Sequence, residues 1–477
     1  MRITLFVLLF GGYAKAAEHP SVVFPRLLEE RADTGAKTVR IHDKLTLSLQ
    51  KASVAAKKFR VRRVVDGRTV TTFVDGAHIE RSLYDDAEKL ATMSIKIEDG
   101  RLLLNGLIGP SHRIAPISGS ERSEDGAIPH AIHKVETKNY DKEVLGQSAK
   151  AALNGVRERS DSLPSKVLVE IFLVSDSKHN AIFTTFEDLA TYLCVCINSV
   201  NVRYKQSRYP FFQLVLVGME KSEDEPYNVG DGSNMYDDAT VELFKKHVNS
   251  HIVDYGRADV VFLLTGRELF TVMGKVINNA ITGIAFLAGI CTAEFVGIGE
   301  EKPGSFDVIH TMAHEVAHLL GASHDGDKPV RTMPNRPGSE ACPWQDGYMM
   351  SYIDGGAKHQ RLSRCSLEQI EVVLLLRGIS CWNTGSGNEY IVEDAFPGQF
   401  LTDKEYCRRL FPTLTGIYPN TNHTLSSKCK MKCCYDSMLF GTKTCYTVDI
   451  PDYMSCGYQK VCFIGDCLSK TYISSLP

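Results

Sequence analysis

One twelve-residue stretch constrains this chain more than anything else in it: His314-Glu315-Val316-Ala317-His318-Leu319-Leu320-Gly321-Ala322-Ser323-His324-Asp325. His314 and His318 stand four residues apart, so on a helix they project side by side from one face. That spacing suits two ligands of one tetrahedral zinc ion. The helix is predicted from about Phe306, with Ser305 as its N-cap. Gly321 tolerates a positive φ, which stops the helix and turns the chain back. His324 then approaches the same metal from the other side. Three neutral imidazoles leave a fourth position for water, which marks a catalytic zinc site and not a structural one. Glu315 points to a different azimuth and need not touch the metal. It is placed to take a proton from the water and pass it to a leaving amine, the work of a general base in peptide-bond hydrolysis.

The rest of the chain says where such chemistry is carried out. Arg2, the apolar run Ile3 to Phe10 and Ala14-Lys15-Ala16 read as a secretory signal cleaved after Ala16. That run falls short of the ~20 residues needed to span a membrane, and so does Ile281 to Cys291, which holds Gly283 and Gly289. No membrane span is expected. Of 14 cysteines none precedes Cys194, and nine fall between Cys381 and Cys467. In a secreted chain that density reads as a disulfide framework. A formal charge of −3 without a long run of one sign gives no basis for nucleic-acid binding. The expected partners are extracellular proteins, and a monomer is expected.

At 477 residues the chain allows about three domains. Residues 17–163 read as a β-rich unit: Leu45 to Leu49, Val70 to Val74 and Met93 to Ile97 alternate, and Asp99-Gly100 makes a turn before Leu102. Arg60-Val61-Arg62-Arg63 resembles a processing site but lies in a strand-like stretch. In residues 164–382, strands (Val167–Val174, Phe211–Val217, Asp259–Leu264, Ile281–Ile290) alternate with helices (Ala181–Tyr204, Asp237–Val253). This predicts an α/β layer with a largely parallel sheet. Ser366 and Gln369 form a capping box for a helix running to about Leu376. Residues 383–477 are loop-rich and stapled by cysteines, with one glycan acceptor, Asn422-His423-Thr424.

With Asp325 after the third histidine, and Gly347-Tyr348-Met349-Met350-Ser351-Tyr352 downstream, the chain resembles the reprolysin (adamalysin, ADAM-type) branch of the metzincin metalloproteases. Within that branch, Ala341-Cys342-Pro343-Trp344 and Ser380-Cys381-Trp382 resemble the salivary metalloproteases of blood-feeding ticks. The resemblance covers residues 164–382. It implies a secreted zinc endopeptidase made as a zymogen, with a prodomain, an α/β catalytic domain and a cysteine-rich docking module similar to those of ADAMTS-like proteins. Matrix or clotting proteins would be its substrates, and Met350 the residue of a methionine turn beneath the imidazoles. It also implies a structural calcium at Glu170, Asp259 and Asn383, the last one place early, and disulfides Cys291–Cys381 and Cys342–Cys365. Ala317 stands where the family has glycine. The mature chain is expected to start between Arg157 and Pro164. Latency cannot use a prodomain thiol, because no cysteine precedes Cys194. The candidate blocking groups are Glu121, Glu124, Asp125, His130 and His133, with simple steric cover as the other route.

Two other functions fit parts of this pattern. A protease fold kept only for binding would have no chemical reason to retain Glu315. A zinc hydrolase of small molecules would need neither the prodomain nor a docking module. His310, one turn before His314, is read as packing or as a support behind the metal ligands, since a fourth histidine ligand would displace the water.

Overall fold

The computed structural model describes residues 20–381 and 402–469, less short stretches of which 145–162 is the longest. The predicted signal sequence, Glu121, Glu124, Asp125, Arg157, Arg159, Asn383 and the sequon residue Asn422 lie outside the described residues.

The centre of the fold is an eight-stranded sheet. Its order is Asp141–Val144, Gly283–Phe286, Val296–Glu300, Val260–Thr265, Val167–Ser175, Phe212–Lys221, Ala55–Val65, Arg68–Asp75. Neighbours run parallel except at Gly283–Phe286 against Val296–Glu300 and in the hairpin Ala55–Val65/Arg68–Asp75. The inner strands are unbroken apolar runs because both faces are covered; every residue of Val260–Thr265 is buried. Helices Phe186–Tyr204 and Val308–Leu320 pack on this sheet and on each other.

Several boundaries move for local reasons. The helix predicted from Ala181 starts at Phe186, because the Thr185 hydroxyl accepts from Asp188 N and caps it there. The strand predicted over Ile281–Ile290 shrinks to Gly283–Phe286, and Ala288 and Cys291 take positive φ beyond it. Val296–Glu300 is a strand that the sequence reading did not pick out. Gly297 and Gly299 interrupt its apolar pattern, and both are glycine where the Phe262 ring packs about 3.0 Å from an added Cβ. Helix Asp237–Ser250 ends before Val253. The long histidine-bearing helix is Val308–Leu320, with Asp307 and not Ser305 at its N-cap. The last long helix is Arg364–Arg377, capped by Ser363, so the Ser366/Gln369 box does not form and Gln369 is used elsewhere.

A second sheet, of nine antiparallel strands between Ser21–Val23 and His130–Lys134, has its own core around Val39, Leu47, Met93, Leu104 and Ile114. It leans on helix Phe186–Tyr204, where Asn198 Nδ2 donates to Asp85 at 2.9 Å. The hairpin carrying Arg60–Arg63 leaves this sheet for the central one. There Arg62 pairs with Glu220 in a buried contact, and Phe59 and Val61 join the central core.

Residues 403–469 form two small three-stranded sheets held by Cys407–Cys433, Cys429–Cys462, Cys434–Cys445 and Cys456–Cys467. Cys291–Cys381 and Cys342–Cys365 pair as the resemblance implied. Cys194 and Cys196 are unpaired and buried, and burial pushes both thiols up. No helix among the described residues is long and apolar enough to cross a membrane.

Candidate active site

Helix Val308–Leu320 buries Ile309, Met312, Val316, Leu319 and Leu320 in the central core, which fixes the azimuth of His314 and His318. Gly321 ends the helix at φ 111°, and a Cβ there would fall 2.4 Å from Val373 Cγ2. No other residue fits that turn. Ala322 N donates back to Ala317 O at 2.8 Å, and the reversed chain brings His324 over the helix.

The structure brings the three predicted histidines together. His314 Nε2 lies 3.0 Å from His318 Nε2 and 3.2 Å from His324 Nε2. The other nitrogens decide what this means. His314 Nδ1 is 2.8 Å from the Met349 carbonyl and His318 Nδ1 is 2.7 Å from the Ala322 carbonyl. A carbonyl only accepts, so each Nδ1 carries the proton and each Nε2 presents a bare lone pair. Burial holds His314 down to about 4, and burial with the two neighbouring imidazoles holds His318 well below its usual range. Lone pairs facing one another at this distance repel unless a cation lies between them. The separations approach the ~3.3 Å edge of a tetrahedron built on Zn–N bonds of about 2.05 Å. The donor set therefore fits zinc.

The turn between the second and third histidines sits in a cradle. Arg336 donates from Nε (2.8 Å) and Nη2 (2.6 Å) to the Gly321 carbonyl, and from Nη2 to Ser323 Oγ (2.6 Å). Gln369 Oε1 accepts from Ser323 N at 2.8 Å. Ser339 Oγ donates to the His324 carbonyl at 2.5 Å. Asp325 N donates to the Met350 carbonyl at 2.9 Å, while Ser363 Oγ donates to the Asp325 carboxylate at 2.6 Å. Burial raises that carboxyl to about 6. Met349 and Met350 are both buried. Sequence reasoning missed Arg336 and Ser339 and gave Gln369 a different role, because the groups they hold here are marked by no local pattern.

Glu315 is buried on the same helix. Its carboxylate lies against Gly283, where an added Cβ would stand 2.7 Å from Oε1. Gly283 opens the strand Gly283–Phe286, and Asp141–Val144 pairs with that strand in parallel at the edge of the sheet, Asp141 opposite Gly283. Tyr352, quoted in the sequence only as part of the resemblance, places its hydroxyl 3.1 Å from His324 Nε2.

The remaining candidates separate. His310 stacks on His359 at 4.1 Å, buried, and takes the packing role expected of it. His130 uses Nε2 to accept from Leu104 N and Nδ1 to donate to the Ile128 carbonyl, so both nitrogens are committed within the N-terminal sheet. His133 lies beside Arg113 and Lys302, which with burial lower its pKa. Glu170 and Asp259 do come together: Glu170 N donates to Asp259 Oδ2 at 2.8 Å, and burial next to Glu170 pushes the Asp259 carboxyl well up.

Comparison with known proteins agrees with this geometry. Residues 166–363 match the family model Reprolysin_5, metallo-peptidase family M12. The venom metalloproteinase BumaMPs1 of Olivierus martensii is 30% identical over 400 residues, covering 80% of this chain and 96% of that protein. The venom metalloproteinase antarease TserMP_A of Tityus serrulatus is 28% identical over 382 residues, covering 76% and 92%. A disintegrin and metalloproteinase with thrombospondin motifs 19 of Homo sapiens is 30% identical over 225 residues, 46% of this chain and 17% of that protein.

Proposed function

We propose how this chain, which belongs to the reprolysin-type M12 metallopeptidases and is a zinc metalloendopeptidase, carries out its reaction. His314, His318 and His324 hold the zinc, and Glu315 is the general base. The observation that carries this reading is the convergence of three Nε2 atoms, two of them left unprotonated by carbonyl acceptors on Nδ1. Zinc, when bound, polarises the scissile carbonyl and lowers the pKa of water towards ~7. Glu315 takes the proton of the attacking water and delivers it to the departing amide nitrogen. The tight seat against Gly283 holds its carboxylate on one path. The carbonyls of Met349 and Ala322 orient the imidazoles, and the buried Met350 packs beneath them as the methionine turn.

The substrates are proteins outside the cell, with matrix and clotting proteins as the first to test. The chain is secreted, with domains at 17–163, 164–382 and 383–477 after a signal at 1–16. The cysteine-rich part docks substrate, Asn422 carries glycan, and Glu170 with Asp259 supplies ligands to a structural calcium completed by Asn383. Latency rests on steric cover by the N-terminal region, whose strand Asp141–Val144 lies along Gly283–Phe286 next to Glu315; His130, with both nitrogens committed, is not its blocking group. A protease-like binding protein is the weaker reading, because the buried carboxylate of Glu315 costs stability and serves no binding role.

The test is cleavage of a quenched fluorescent peptide library. Wild type should cleave, lose activity with chelator, and gain activity when cut between Arg157 and Pro164 and freed of its N-terminal piece. Glu315→Gln should retain zinc and lose at least ~10²-fold in turnover. Near-full activity of that variant would remove Glu315 from its assigned role.

A further inference from the structure

We propose that release of the N-terminal region uncovers a binding site for an acidic stretch of polypeptide, formed by Asn198, Arg203 and Lys205, and that this site holds protein substrates away from the scissile bond. The inference rests on the reading that the N-terminal piece leaves after the cut, and it names what the mature enzyme then recognises. Helix Phe186–Tyr204 is buried at every residue from Tyr192 to Tyr204. One side meets the central sheet, where Asn201 Nδ2 donates to the Leu214 carbonyl at 2.8 Å; another lies under the nine-stranded sheet. That second side carries polar groups. Asn198 Nδ2 donates to Asp85 Oδ2 at 2.9 Å, and Lys205 Nζ, at the helix C-cap, lies 3.8 Å from the same oxygen. Arg203 Nη2 donates to the Pro110 carbonyl at 3.4 Å, on the exposed turn between strands Arg101–Gly109 and His112–Pro116.

Arg203 is the informative member. It is 2% exposed, and its other donors go to the Ser199 carbonyl (Nη1, 2.9 Å) and to Gln360 Oε1 (Nε, 2.9 Å). Among the described residues no carboxylate pairs with it, and burial lowers its pKa to about 10. Buried charges are ordinarily paired with an opposite charge, and an unpaired one costs stability. Here a fork shaped for a carboxylate meets only neutral oxygen atoms. A cover that was permanent would have no use for this arrangement; a temporary one does. Release of the N-terminal piece takes Pro110 from Arg203 and Asp85 from Asn198 and Lys205, and turns all three outward. Lys166 adds a further cation nearby: burial, then the charge of Lys205, lowers its pKa. The N-terminal region also shows what fits. It places here a carboxylate and a main-chain carbonyl, the two acceptors of an acidic peptide. That pairing favours a peptide over a sulfated glycan, which has no main-chain carbonyl to offer Arg203. A substrate carboxylate gives Arg203 the charge-assisted bond it lacks in the uncut chain, roughly twice as strong as a neutral one.

The probe is a fluorescein-labelled peptide of alternating Glu and Gly, followed by anisotropy. The protein is the chain carrying Glu315→Gln, so that nothing is digested, either uncut or cut between Arg157 and Pro164 and freed of its N-terminal piece. The freed protein should bind the peptide, with affinity falling as salt rises. The uncut chain, and a peptide with Gln in place of Glu, should each bind at least ~10-fold more weakly. Lys205 is half-exposed, so Lys205→Glu leaves the fold intact; it and Arg203→Gln should each cost at least ~10-fold in affinity. In the Glu315-intact enzyme, Lys205→Glu should leave kcat/KM on a short neutral peptide unchanged. Equal binding by the uncut chain, equal binding of the Gln peptide, or wild-type affinity in Lys205→Glu would each overturn the proposal. Tighter, Lys205-dependent binding of a heparin oligosaccharide would overturn it in favour of a glycan. An N-terminal piece that stays bound after the cut, seen by gel filtration, sinks the proposal together with the reading it rests on. A piece that leaves without acidic-peptide binding sinks the proposal alone.

Discussion

Replacing Gly283 by alanine should disable the enzyme without removing its metal. The added Cβ would lie 2.6 Å from Thr311 Cγ2, 2.7 Å from Glu315 Oε1 and 2.8 Å from Glu315 Cγ. Ordinary contact begins near 3.5 Å, so something must yield by about 0.8 Å. Thr311 and Glu315 are one turn apart on a helix whose apolar face is locked into the core. With helix and strand both held by the core, the movable part is the end of the Glu315 side chain. A displacement of about 1 Å at a catalytic group costs on the order of 10²-fold in rate, and the overpacking itself costs about 1–3 kcal/mol. The histidines stand at other azimuths of the same helix, and His314 and His318 are held by the carbonyls of Met349 and Ala322, so zinc should remain. The measurements are kcat on a fluorescent peptide, bound zinc after dialysis, and thermal melting. Wild-type kcat together with an unchanged melting temperature would show that the strand and the carboxylate do not meet as described, and the argument from the missing Cβ would fall.

Two further outcomes follow from the same structure. Arg336→Ala should lower zinc affinity about 10–100-fold, the usual cost of losing a group that orients a ligand-bearing turn, because its fork on the Gly321 carbonyl and Ser323 hydroxyl sets the path to His324; chelator competition reads this directly, and wild-type affinity would refute it. Asp307 bears on pH: burial first, then Glu301, raises its carboxyl to about 7 from 3.8. A raised carboxyl favours the protonated fold, so its contribution is fully present below pH 3.8 and lost as pH rises through about 7. Asp307→Asn should therefore melt higher than wild type at pH 8 and show no such gain at pH 4, and an equal shift at both pH values would refute the assignment.

The candidate active site was legible because its pattern is written at helical spacing. His314, His318, Gly321 and His324 each follow from a local rule, an azimuth or a backbone angle, and local rules survive without knowledge of the fold. Glu315 was named from its position beside His314, yet nothing local shows that Gly283 must be glycine to seat it. That need arises from two segments about 30 residues apart meeting face to face. The same holds for Arg336, whose partners are a carbonyl and a hydroxyl, and for Gln369. The latter looked like half of a capping box because it stands three residues after Ser366. In the fold Ser363 does the capping, and the amide of Gln369 is drawn off to Ser323 N and to the Pro337 carbonyl. A side chain able to satisfy either partner goes where an orphan donor is buried, and burial is not visible in one dimension.

The hairpin Ala55–Val65/Arg68–Asp75 shows the other limit. Its alternation identified strands correctly, and nearness in sequence assigned them to the β-rich unit around them. Alternation gives the two faces of a strand but not the identity of its edges. Here the deciding partner is Phe212–Lys221, with which Ala55–Val65 pairs in parallel across more than 150 residues of chain. That neighbour is shaped for it. Gly218 leaves no room for a Cβ, which would fall 2.6 Å from the Arg60 carbonyl, and Glu220 would be a buried lone carboxylate without Arg62. A buried charge robbed of its partner is strongly destabilising. Strand Phe212–Lys221 therefore carries, in its own residues, a requirement for a segment near the start of the chain. With Asp141–Val144 on the far edge, the N-terminal region holds both edges of the central sheet, and with Ala52, Val54, Ala56, Phe59 and Val61 it contributes to the same core as the histidine-bearing helix. The catalytic fold and the region that precedes it are thus one packing problem, and a cut between residues 157 and 164 severs the connection between them without removing a single one of these contacts.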